Sequence, residues 1–267
     1  MDINQFFDRL WDDYVAMTPQ AKRIKAAFEE RGERVVNDHV AFRTLALEPI
    51  RLKSLEPHLL AVGYTPYEPY DFKDKKLSAY GYLPPEQEMP RVFVSELRVN
   101  ELSPAAAKIL EGLAAQVDPK RVEDPSILWA GPLWEPISYK DYQTLVDESE
   151  YAAWVASIGI RPNHFTIGVN YLTQTTSVEE VLQVVESLGY QVNASGGRVK
   201  GTPEVLLEQG STLADRMPIQ FAGGETHEVP TCYYEFAKRY PTESGELYPG
   251  FVAASADKIF ESTDAKR

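Results

Sequence analysis

Two histidines in matching surroundings are the first chemistry the sequence offers. His39 sits in Asn37-Asp38-His39-Val40-Ala41-Phe42-Arg43-Thr44, and His164 in Asn163-His164-Phe165-Thr166-Ile167-Gly168-Val169-Asn170. Each follows a polar residue and leads into strand-forming side chains. A glutamate stands in a late extended stretch of each half, Glu96 in Ser95-Glu96-Leu97 and Glu235 in Tyr234-Glu235-Phe236. Two imidazoles and one carboxylate hold one face of an octahedral metal and leave positions open. Non-haem Fe(II) sites that bind substrate and dioxygen together are built this way. Zn(II) takes many of the same ligands in tetrahedral geometry, and Mn(II) is a further option. With Glu96 as a fourth protein ligand, the site would suit isomerase, lyase or hydrolase chemistry instead. A lone strand histidine is more often a hydrogen-bonded core residue; the matched positions of His39, His164 and Glu235 favour the metal.

Period-two alternation places Ala41 and Arg43 on the face of His39. Arg43 then lies about 13 Å further along the strand, where a guanidinium could grip a substrate carboxylate bidentately. A structural ion pair is the competing reading. Gln209, in an expected strand, and Tyr233, on the face of Glu235, are further candidates for substrate contact. His58, on an amphipathic helix, and His227, in a Gly/Glu-rich loop, read as solvated or locally paired. Lys75-Lys76 and Lys238-Arg239 read as solvated charges, and Trp129, Trp134 and Trp154 as packing anchors. Cys232 is the single cysteine, which excludes an intrachain disulfide and a Cys-rich zinc site. Alternation turns it away from Glu235. Gly-x-Ser-x-Gly, Gly-x-x-x-x-Gly-Lys and His-Glu-x-x-His are absent from the sequence.

The elements that must position these groups read as two copies of one unit. Ile3, Phe6, Phe7, Leu10, Trp11, Tyr14 and Val15 have helical spacing, and Pro19 opens a second helix closed by Gly32. Both read as support. Residues 35–45 are extended. A helix over 54–62 follows, with Pro57 placed in its first turn because proline breaks a helix interior, and Gly63-Tyr64 ends it. A hairpin over 70–83 and a strand over 91–102 complete the first copy. Helical stretches over 104–117 and 138–158 lead to the second. There Ser177-Val178-Glu179-Glu180 is a capping box, Gly189-Tyr190 ends the helix, and extended stretches lie near 198–201, 205–209, 217–221 and 231–238. Gly63 follows His39 by 24 positions and Gly189 follows His164 by 25, so two strand–helix–strand–strand–strand units fit the chain.

The expected architecture is one α+β domain over 1–267. It comprises N-terminal helices (1–32), a first βαβββ unit (33–103), a helical connector (104–160), a second unit (161–240) and a C-terminal tail or helix (241–267). Side by side, the paired units would curve into an open β-barrel with a shared cavity. Hydrophobic residues make up 43% and charged ones 25% of the chain, ordinary for a globular protein. The formal charge of −13 argues against nucleic acid or an anionic membrane as partner. It leaves an acidic small substrate possible, since a local field can oppose the net charge. No apolar run approaches the roughly 18 residues of a membrane span, and Met1–Gln5 lacks the start of a signal peptide. The expected setting is the cytoplasm.

Asp38-His39-Val40-Ala41-Phe42-Arg43-Thr44, Ser95-Glu96-Leu97-Arg98-Val99, Arg161-Pro162-Asn163-His164-Phe165-Thr166 and Tyr234-Glu235-Phe236-Ala237 resemble the DUF1338 family. That family is associated with 2-oxoadipate dioxygenase/decarboxylase, also called hydroxyglutarate synthase, and is related to the vicinal oxygen chelate fold of repeated βαβββ units. The resemblance implies Fe(II) held by His39, His164 and Glu235, with Arg43 contacting substrate. It further implies conversion of 2-oxoadipate and O2 to 2-hydroxyglutarate and CO2, in lysine catabolism. The 2-oxo acid would chelate iron through its carboxylate and keto oxygen, and Arg43 would hold the distal carboxylate or steer the reacting one. A 2-oxo acid and O2 are therefore the expected partners. A small-molecule binding protein of the same fold is the non-enzymatic alternative.

Overall fold

The computed structural model describes residues 2–266. Two helices come first, α1 (Ile3–Met17) and α2 (Pro19–Glu30). Asp2 and Gln5 form a capping box at the start of α1, and its stripe of Phe6, Leu10 and Tyr14 is buried. The first unit is β1 (Asn37–Leu45), α3 (Leu52–Ala61), β2 (Thr65–Phe72), β3 (Leu77–Leu83) and β4 (Arg91–Leu97). A connector of α4 (Pro104–Ala114), α5 (Pro119–Val122), α6 (Tyr139–Glu148) and α7 (Glu150–Ile158) follows. The second unit opens with β5 (Pro162–Gly168), α8 (Val178–Ser187), β6 (Lys200–Thr202) and β7 (Leu207–Ser211). After a hairpin of β8 (Arg216–Gln220) and β9 (Thr226–Pro230), it closes with β10 (Tyr233–Arg239). The last helix is α9 (Ala253–Phe260).

Each unit pairs its first strand in parallel with its last, β1 with β4 and β5 with β10. The units meet where β1 and β5 run antiparallel. The result is one eight-stranded sheet, β2-β3-β4-β1-β5-β10-β7-β6, curled into a half-barrel. The paired βαβββ reading holds. Both unit helices also end alike. Gly63 and Gly189 have positive φ of 93° and 90°. Tyr64 donates its N–H to Leu59 O at 3.0 Å and Tyr190 donates to Val185 O at 3.3 Å, each closing a Schellman motif. The capping box at Ser177 and Glu180 forms as expected.

Two expectations change. Pro57 lies inside α3, which begins at Leu52. Pro57 and Lys53 are on the exposed side of the helix, so the Lys53 carbonyl that loses its i+4 partner faces water. The stretch near 217–221 is no strand of the second unit: β8 pairs with β9 in a separate two-stranded sheet. In the C-terminal region, expected as a tail or helix, α9 packs on β2, β6 and β7 and covers the concave face of the sheet.

Helix α7 packs against the central strand β1. All its residues from Tyr151 to Ile158 are buried, as expected of a helix apolar all round. The Tyr151 hydroxyl donates to Ser95 O at 2.7 Å and accepts the Thr44 N–H at 3.1 Å, bridging β4 and β1.

Candidate metal centre

His39 and His164 face each other across the β1–β5 junction, where Ala41 is opposite His164 and His39 opposite Thr166. Glu235 enters from β10, one alternate position beyond Tyr233, the register partner of His164. The carboxylate spans the two rings. Its Oε1 lies 3.4 Å from His39 Nε2 and its Oε2 lies 3.2 Å from His164 Nε2. One ligand atom from each residue fits within a 4.8 Å cluster, and all three residues are buried. Gln209 on β7 donates to Glu235 Oε1 at 2.7 Å, whereas Glu235 Oε2 has no hydrogen-bond partner among the described residues. A buried carboxylate oxygen with nothing to accept is costly. Two imidazole nitrogens aimed at the same point make a cation the natural occupant, so the donor set fits a metal.

The two histidines are held differently. Asp38 Oδ2 lies 2.8 Å from His39 Nδ1, which fixes the tautomer that presents Nε2. Asp38 is in turn gripped by Arg239 through Nε and a terminal nitrogen at 2.7 and 2.8 Å. Burial opposes the charge on Asp38, but the Arg239 guanidinium and the His39 ring hold its pKa far below the usual range. His164 Nδ1 meets only the neutral Asn163 side chain, at 3.1 Å. In the metal-free site, burial opposes protonation of His39, yet Glu235 and Asp38 outweigh it and raise its pKa. His164 is pushed well down by burial, then by the charges of His39 and Arg43.

Arg43 shares the concave face and is buried. It donates to Thr263 Oγ1 at 2.9 Å and lies under the rings of Tyr151, Trp154 and Phe260 at 5.0, 5.2 and 5.5 Å. Its Nε and second terminal nitrogen have no hydrogen-bond partner among the described residues. A small cavity of ≈ 20 Å³ opens on the triad, bounded by Gln209, Tyr233, Phe93 and the C-terminal residues Phe251, Ile259 and Phe260. The Tyr233 ring stacks on His164 at 4.6 Å and its buried hydroxyl is unpaired.

Glu96 is not with them. The β1–β4 register pairs Thr44 with Glu96 and Arg43 with Ser95, so Glu96 points to the opposite face of the sheet. There its carboxylate accepts the Leu52 N–H at 2.8 Å, in the first turn of α3. With His39 and His164 taken as equivalent, the counterpart of Glu235 is Phe93. One unit supplies a ligand-type carboxylate and the other a hydrophobic wall. Arg239 also departs from its expected role as a solvated charge, being 1% exposed. It sits at even spacing from Glu235 on β10, and that alternation was the signal available for it. His58 is buried and bonded to Val122 O at 2.7 Å; His227 stacks on Tyr139. Neither joins the site. Burial raises the Cys232 thiol to about 12, so it stays protonated.

A family model for 2-oxoadipate dioxygenase/decarboxylase matches residues 9–124 and 126–246. The chain belongs to this family. A rice (Oryza sativa subsp. japonica) member, named as the chloroplastic/amyloplastic 2-oxoadipate dioxygenase/decarboxylase, is 35% identical over 94% of this chain and 75% of its own. The crystal structure of the Oryza sativa hydroxyglutarate synthase in complex with 2-oxoadipate superposes with a TM-score of 0.92 at 33% identity. It covers 98% of this chain and 92% of that one. A Shewanella frigidimarina protein described as a candidate hydrolase superposes with a TM-score of 0.89 at 44% identity, covering 95% and 98% of the two chains.

Proposed function

We propose that this chain is an Fe(II)-dependent dioxygenase/decarboxylase converting 2-oxoadipate and O2 to 2-hydroxyglutarate and CO2. His39, His164 and Glu235 would hold the metal, and Arg43 a substrate carboxylate. The observation that carries this reading is the buried triad with its unpaired Glu235 Oε2, in a chain of this family. Three protein ligands favour Fe(II) over a closed structural zinc site, because they leave positions for a chelating 2-oxo acid and for dioxygen. When bound, Fe(II) supplies the redox chemistry that lets O2 react with the 2-oxo acid.

The reaction balances on its own atoms. One oxygen of O2 completes the carboxyl formed at the former keto carbon, and the other becomes the hydroxyl on the adjacent carbon. CO2 leaves with the oxygens of the original carboxylate. The protein's part is orientation and exclusion. The two unpaired nitrogens of Arg43 offer a fork for a carboxylate, and the rings around it prevent the fork from turning. Gln209 fixes Glu235 through Oε1, leaving Oε2 toward His164. The buried Tyr233 hydroxyl, with no hydrogen-bond partner among the described residues, presents a further donor. Phe93, Phe251, Ile259 and Phe260 keep water out. A cavity of ≈ 20 Å³ has room for about one water, so seating a six-carbon diacid requires the C-terminal cover to shift.

A role in lysine catabolism and a cytoplasmic setting belong to the same proposal. No helix among the described residues is long and apolar enough to cross a membrane. The rice relative is named as a plastid protein. Metal content after anaerobic reconstitution tests the site. Wild type should retain one equivalent of Fe(II) after desalting, while His39→Ala and Glu235→Ala retain almost none. Full metal retention by both variants would overturn the ligand assignment.

A further inference from the structure

Arg239 is the most fully engaged buried charge near the triad. Besides the two contacts with Asp38, its remaining terminal nitrogen donates to Tyr248 O at 2.9 Å and Gly250 O at 2.6 Å. Its guanidinium also lies 5.4 Å from the Phe251 ring centroid. Phe251 meets the His39 ring edge-to-face at 5.0 Å, and its N–H is held by the Tyr70 hydroxyl at 2.9 Å. One guanidinium therefore touches two things that bear on the same imidazole: the carboxylate at its Nδ1 and the chain that places a ring against it. Arg91 also approaches Asp38, at 3.5 Å. On the other side of the site, among the described residues, His164 Nδ1 meets only Asn163, whose Nδ2 has no hydrogen-bond partner.

We propose that Arg239 is a positioning residue that couples the first metal ligand to the cover over the site. Through Asp38 it fixes the tautomer and strengthens the donor character of His39. Through Tyr248 and Gly250 it seats Phe251 over the same ring. Carboxylates bonded to the far nitrogen of a ligating histidine raise its basicity, and their loss typically weakens metal binding by about 10- to 100-fold. What is particular to this chain is the second half: the group that secures the carboxylate also secures the cover. Arg239 holds no metal and touches no substrate; it acts through Asp38 and the backbone at 248–250. This inference rests on the metal reading of the triad, and its test must tell the two apart.

Three variants and two readouts do so. Metal affinity is measured by chelator competition, and amide exchange over residues 248–263 is measured on metal-free protein. Arg239→Lys keeps the charge and loses the fork; it should weaken metal binding about 10-fold and speed exchange over 248–263. Asp38→Asn with Arg239→Met removes both charges of the fully buried pair and leaves only the partly exposed Arg91 without its ion partner; it should weaken binding by about 10- to 100-fold and speed exchange further. Asn163→Ala should weaken binding only a few-fold and leave exchange unchanged. Wild-type affinity in both Arg239 variants would overturn the proposal, as would weakened affinity with exchange unchanged. If the double variant does not fold, Arg239→Lys decides alone on the same two readouts. A wild type that binds no metal would sink the metal reading, and unchanged exchange in Arg239→Lys would then sink the cover half separately.

Discussion

Arg43 concentrates the specificity argument in one side chain. A buried guanidinium with two nitrogens unpaired costs several kcal/mol unless something compensates it. The three aromatic faces around it return roughly 0.5–2 kcal/mol each, and an arriving carboxylate can supply the rest. Arg43→Lys keeps the charge but replaces the fork with a point, so kcat/KM for 2-oxoadipate should fall about 100-fold, equivalent to roughly 2.7 kcal/mol. A lysine variant with wild-type kcat/KM would remove Arg43 from substrate binding. The histidines make a second prediction, in pH. His39 has a raised pKa in the folded metal-free protein, above an unfolded value of about 6.5. Its contribution to metal-free stability is full below that value and is lost as pH rises through the folded pKa. Metal needs the same Nε2 lone pair, so affinity should move the opposite way, gaining up to about tenfold per pH unit until His39 is deprotonated. Parallel titrations of metal affinity and metal-free melting temperature check this; a pH-independent affinity would contradict it. At this scale His39, His164, Glu235 and Arg43 were legible in the sequence, from residue type and alternation. Asp38 was not, because the irregularity between Asn37 and His39 in the β1–β5 pairing breaks the alternation at that residue.

Strand parity explains which element-level expectations survived. Glu96 and Glu235 both lie on the last strand of a unit, yet Glu96 is three positions past Phe93, the true counterpart of Glu235. An odd offset sends a side chain through the sheet, and approximate spacing over 100 residues cannot count odd from even. The C-terminal cover was harder to see, since residues 241–267 carry no local pattern that says which surface they will meet. The Gly-Tyr helix ends were the reliable mark of the repeat, because they report a backbone conformation that few residues besides glycine adopt. A different glycine is the better test of how α7 delivers the chain to β5. Gly159 has φ 79° and ψ −157°, and a Cβ there would come within 2.0 Å of the Gly131 backbone. Gly159→Ala should cost roughly 3 kcal/mol or more by denaturant unfolding, since conformation and contact are both prohibitive. A loss below about 1 kcal/mol, within the ordinary range of point substitutions, would show that the close approach is easily relieved.

Across the molecule, the two units share one sheet through β1 and β5, and the metal-type residues come from both units. Neither half can bury its junction face alone, so we take the 267 residues as one domain. Calorimetry of metal-free protein should show a single transition with matching calorimetric and van't Hoff enthalpies; two separable transitions would make the units independent. The duplication is also functionally unequal. The first unit gives His39 and Arg43, the second gives His164 and Glu235, and Phe93 occupies the place where strict symmetry would put a second carboxylate. That inequality leaves three candidate ligands, the number the proposed oxygen chemistry calls for. The most direct test is a single turnover of anaerobically Fe(II)-loaded protein with 2-oxoadipate and isotopically labelled dioxygen. The account predicts one CO2 per 2-hydroxyglutarate, both labelled oxygens in the 2-hydroxyglutarate, and none in the CO2. Fully metal-loaded protein that releases no CO2, or forms a product without label, would contradict it.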